Sequence, residues 1–154
     1  MSFEVLESVL RPLAYWYNQE NIEEVAINRS GQVWLRLRGK RAYPWVMYKD
    51  EKLTKEYLTD LLYIVANTYE LPFEPASGIP VVYATLPGEH RFSAICGKNV
   101  MYDESDITGG VAIAIRVHSD DVAFGLGDYG LKQGEKLHQI NPLKNIKDPE
   151  DPYE

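Results

Sequence analysis

Hydrophobic positions recur along this chain at two periods, and each change of period marks an element. Near the start Leu6, Val9, Leu10, Leu13 and Trp16 or Tyr17 return every three or four residues, which predicts an amphipathic helix over about 3–17. Pro12 lies inside it, lacks the amide that would bond the Ser8 carbonyl, and predicts a kink or a split. From residue 24 the period drops to two. EVAIN puts Val25 and Ile27 on one side, Arg29-Ser30-Gly31 supplies a turn, and Val33, Leu35 and Leu37 share a face opposite Trp34, Arg36 and Arg38. These read as two paired strands. Gly39-Lys40 allows another reversal, into a third strand over 43–48 that Pro44 confines to an edge or a bulge.

Thr54 is a good N-cap, with Leu53 and Leu58 placed as a hydrophobic staple, and Leu58, Leu61, Leu62, Val65 and Ala66 follow at helical spacing. A second helix is therefore expected over about 55–69. Pro72, Pro75, Gly78 and Pro80 make an irregular crossing. VVYATLPGEHRFSA (81–94) then reads as a β-hairpin that aims Arg91 from just past its turn. The polar stretch 97–110 is a long loop, and VAIAIR (111–116) is the most hydrophobic strand-like run, closed by Arg116. The pattern as a whole predicts an α+β fold: a twisted, mainly antiparallel sheet of about six strands with two principal helices packed on one face. From about residue 121 the signal fades into glycines 125–134 and a polar, proline-rich end, the composition of a linker.

Composition narrows the function. The 154 residues carry 16 basic and 23 acidic side chains, a net charge of -7, with no basic run, which disfavours a nucleic-acid partner. One cysteine, Cys96, permits no internal disulfide, and its strand-end position reads as a small buried hydrophobe. A reducing, cytoplasmic setting is expected. No stretch approaches the roughly 20 apolar residues of a membrane span. His90, His118 and His138 are scattered and do not form a metal-ligand spacing, and His90, beside the turn, is expected to face solvent. No GxxxxGK[ST] and no GxSxG occurs, so neither a phosphate-cradling loop nor a serine nucleophile is indicated. What remains is Arg91 and Arg116, two cations delivered from the ends of neighbouring strands, which could converge on an anion.

In unbroken order, EVAINRSGQVWLRL (24–37), PVVYATLPGEHRFSA (80–94) and IAIRVHS (113–119) resemble the N-terminal domain of the ATPase subunit of VirB-type type IV secretion systems. That family runs roughly E-I-x-I-N-x-P-G-x-V-W, then L-P-x-G-x-R, then I-x-I-R-x-x-S. Ser30 stands here for the usual proline, and Gly88 comes one place early. The resemblance implies a domain over 1–120 that packs over a P-loop domain, a linker over 121–154, and ATP with magnesium held mainly by that second domain, none being bound by this chain alone. It also implies that Arg91 and Arg116 point toward the phosphates. Family members assemble as hexamers at the cytoplasmic face of the inner membrane, contact its secretion machinery and energise pilus assembly or substrate transfer. A chain cut within the linker is expected over a natural stand-alone protein. The alternative from a different class is a PAS-like ligand-sensing or adaptor domain, whose signature would be a deep apolar pocket lined from the Val33 and Val111 strands. A third is an interaction domain that docks through its first helix.

Overall fold

The computed structural model describes residues 3–39, 44–100 and 109–119. Its elements follow one another as α1 (Phe3–Tyr17), β1 (Ile22–Ile27), β2 (Gln32–Leu37), β3 (Trp45–Lys49), α2 (Lys55–Thr68), β4 (Val81–Leu86), β5 (His90–Gly97) and β6 (Gly110–Arg116), with a short 3-10 turn at Pro75–Ser77 before β4. The fold is α+β. All six strands form one antiparallel sheet in the order β3-β2-β1-β6-β5-β4. The first and last strands thus lie side by side in the middle, between two hairpins, an order compatible with a PAS-like sheet. Pro44 precedes an edge strand, as its missing donor requires.

Both helices cover one face. Leu6, Leu10, Leu13 and Tyr17 of α1 and Leu58, Leu61, Leu62, Val65 and Ala66 of α2 are buried against Val25, Ile27, Val33, Leu35, Phe92, Ile113 and Ile115. The period-2 pattern of the strands therefore sorts into a covered and an open side, as alternation demands. Thr54 caps α2 as expected, its Oγ1 accepting the Tyr57 amide at 3.1 Å, and Leu53 and Leu58 are both fully buried. The helices are also joined by a hydrogen bond, the Tyr57 hydroxyl donating to the Val9 carbonyl at 2.6 Å. Burial pushes the Tyr57 phenol well above its ordinary range.

Of the two outcomes expected at Pro12, the split does not occur: α1 runs from Phe3 to Tyr17 as one element. Pro12 removes a single bond, while buried leucines on both sides of it keep the two turns on the same core. The expected linker, 121–154, and most of the polar loop, 101–108, lie outside the described residues. Among the described residues no helix is long and apolar enough to cross a membrane, and no cluster of His, Cys, Asp and Glu could hold a metal ion.

Candidate anion-binding site

β4 and β5 are joined by Pro87-Gly88-Glu89, which turns the chain between Leu86 and its partner His90. Proline at the first central position and a glycine at φ +89° at the second are what a type II turn needs, and the Glu89 amide closes it by donating to the Leu86 carbonyl at 3.0 Å. Gly88 has a second constraint: a Cβ there would stand 2.8 Å from His90 Nε2. This tight turn sets the phase of β5. His90, Phe92, Ala94 and Cys96 point into the core, and Arg91, Ser93 and Ile95 to the open side.

The β5–β6 ladder then places Arg91 directly opposite Arg116, and both are exposed. Directly opposed residues share a face with Cβ atoms about 4.5–5.5 Å apart. The two arginines singled out from the sequence are therefore neighbours. Glu24 lies opposite Arg116 on the other flank and Arg36 opposite Glu24, so one rank across the sheet reads Thr85, Arg91, Arg116, Glu24, Arg36. Arg36 also makes an ion pair of 3.7 Å with Glu23. Arg91 and Arg116 form the like-charged end of that rank, a juxtaposition that destabilises an empty sheet and favours an anion laid across both forks.

The turn histidine does not face solvent as its position beside the turn predicts. His90 is only 8% exposed, packs its ring 4.8 Å from that of Tyr17, and accepts the His118 backbone amide on Nδ1 at 3.0 Å. Its neighbour beyond that amide is also polar, His118 Nε2 lying 3.2 Å from a Glu89 carboxylate oxygen. Burial first, and the nearby His118 second, hold the His90 pKa below its ordinary value. The strand pattern carries the signal for this burial, since His90 shares the inward phase of Phe92 and Ala94. Cys96 is buried, as expected, and burial raises its thiol pKa, which makes it a poor nucleophile.

Next to the rank of charges the open face is apolar. A groove of about 770 Å³ has Ala26, Ala112 and Ala114 on the central strands as its floor, and Trp34, Trp45 and Tyr83 among its walls. β2 lines it through Trp34 and β6 through Ala112, Ile113 and Ala114, while Val33 and Val111 are themselves buried in the core.

No protein-family profile and no curated protein matches this sequence. Among solved structures the chain is similar to the VirB11 ATPase of the Brucella suis type IV secretion system, determined in complex with sulphate. The match has a TM-score of 0.62 and 26% identity, and covers 81% of this chain. It covers 35% of that protein, so the chain spans about a third of its relative's length. The likeness supports an N-terminal domain of such an ATPase, in agreement with the order of the three sequence stretches.

Proposed function

We propose that residues 1–120 form the N-terminal domain of a type IV secretion ATPase and that Arg91 and Arg116 together grip phosphate oxygens of ATP. The observation that carries the reading is the cross-strand pairing of the two exposed arginines in a fold like that of VirB11. Guanidinium forks match phosphate oxygens two at a time, and a pleated ladder holds them at fixed spacing without reorganisation. The sulphate in the relative's structure is an oxyanion of the same shape and sign, which is consistent with an ATPase that takes phosphate groups. The nucleotide's main cradle and its magnesium would belong to a P-loop domain, so this chain acts in catalysis by completing the site. The resemblance in sequence further implies a working assembly that is a homo-oligomeric ring, a hexamer at the cytoplasmic face of the inner membrane, with secretion-machinery proteins as partners.

Inorganic tripolyphosphate titrated into the chain, with the arginine Nε–H resonances followed by NMR, tests the clamp. Arg91 and Arg116 should shift together at millimolar concentration, corresponding to about 4 kcal/mol of binding, while Arg11 and Arg29 stay put. Shifts spread evenly over all arginines would overturn it. In a chain carrying both domains, Arg91→Ala should lower ATPase turnover by about tenfold to a thousandfold; unchanged turnover removes the assignment.

The aromatic-walled groove favours a second reading, a PAS-like module that senses an apolar small molecule. Native mass spectrometry separates the two: a stoichiometric small molecule retained by the purified chain supports sensing, and a bare mass supports the ATPase domain.

A further inference from the structure

We propose that His90 is a positioning residue that holds Arg91 and Arg116 together as one two-pronged anion clamp; this rests on the phosphate-binding reading above. Arg91–Arg116 is the last pair of the β5–β6 ladder on that side. Beyond it the backbone of β5 enters the turn at Glu89, and with nothing to hold them the ends of the two strands would fray where the arginines project. His90 extends the ladder with a side chain. Its Nδ1 takes the His118 amide at 3.0 Å, two residues past Arg116, and so ties the end of β6 to the first residue of β5. On the other flank the Val117 amide donates to the Glu23 carbonyl at 2.9 Å, so the strand carrying Arg116 is anchored on both sides.

The imidazole is itself held. Tyr17 packs against its ring from α1, and Gly88 leaves the space over Nε2 that any side chain would fill. Because Nδ1 accepts, the ring proton sits on Nε2 and the latch works in the neutral form. His118 and Glu89, 3.2 Å apart on the surface, bridge the same two segments from outside. The groups facing the imidazole are thus a phenol, a second imidazole and the turn backbone.

Two variants separate the hydrogen bond from the packing. His90→Phe keeps a ring beside Tyr17 but has no acceptor, and His90→Asn offers Oδ1 close to where Nδ1 stood. The readouts are hydrogen exchange of the His118 amide and the tripolyphosphate titration above, each in the wild-type and in the Arg116→Ala background. In His90→Phe the exchange rate should rise and the affinity fall, both by about threefold to tenfold, the range for one neutral hydrogen bond, and His90→Asn should recover most of each. In the Arg116→Ala background His90→Phe should have no further effect on affinity, since a single arginine has no partner to be aligned with. An equal loss in both backgrounds, or wild-type affinity in His90→Phe, would overturn the positioning role while leaving the arginine clamp in place. Failure of the wild type itself to bind would instead remove the clamp and the role together.

Discussion

Replacing Arg91 by glutamate should stabilise this domain while destroying the site, because the wild-type ladder sets two cations against each other. The register fixes the Cβ atoms of Arg91 and Arg116 about 5 Å apart, and exposed side chains of this length bring their charges to roughly 6 Å. Two unit charges at ~6 Å in water interact by about 0.7 kcal/mol, which physiological salt screens to about half. Charge reversal turns that repulsion into a comparable attraction, a swing of about 0.7 kcal/mol. Glu24, on the far side of Arg116 and about 10 Å from position 91 across two strand spacings, changes from partner to opponent and subtracts about 0.2–0.3 kcal/mol. The net gain of about 0.5 kcal/mol lies within the range measured for exposed pairs and should raise Tm by about 2–4 °C. Urea unfolding of both proteins in 10 mM and in 1 M sodium chloride gives the comparison. At the higher salt, with a Debye length near 3 Å, the gain should disappear. A variant no more stable than the wild type at low salt would refute the placement of the two guanidinium groups, and a gain that survives 1 M salt would show a cause other than charge. If the two arginines grip it as proposed, tripolyphosphate should stabilise the folded wild type and leave the variant unchanged.

Gly88→Ala should cost about 2–3 kcal/mol by urea unfolding, since it forces a side chain to φ +89° and presses a methyl against a buried imidazole; a loss below about 0.5 kcal/mol would mean that the turn relaxes freely. Thr54→Ala removes the cap on α2 and should cost about 1 kcal/mol, measured in the same way. The folded-state pKa of His90 is lowered, so the unfolded chain takes up the proton first as pH falls below about 6.5. His90 therefore adds full stability above that pH and loses it toward the lowered pKa, at no more than about 1.4 kcal/mol per pH unit. Unfolding curves between pH 7.5 and 5 should show this slope in the wild type and a flatter one in His90→Phe; identical slopes would place the titration elsewhere.

Local periodicity made most of the architecture legible. The 3.6-residue stripe of α2, its Thr54 cap and the alternation of β1, β2, β5 and β6 each report a burial pattern that neighbours in sequence share, so they can be read without knowing what covers them. Boundaries shifted by one or two residues where the alternation is interrupted, as in β1, which begins at the buried Ile22 with a bulge between Ile22 and Glu24. At Pro12 the missing donor is a local property, whereas the buried leucines on both sides that keep the helix in one piece depend on what packs over them.

By itself the sequence set Arg91 and Arg116 apart as candidates at the ends of two strands, with no GxxxxGK[ST] beside them. Only the tertiary structure decided the register that sets one arginine directly against the other, and that a histidine expected in water lies buried with its Nδ1 on the amide two residues past β6. The reason is physical. Periodicity encodes which face of an element meets the core, a one-body property, whereas strand order and register are pairwise and depend on segments 25 residues apart meeting in space.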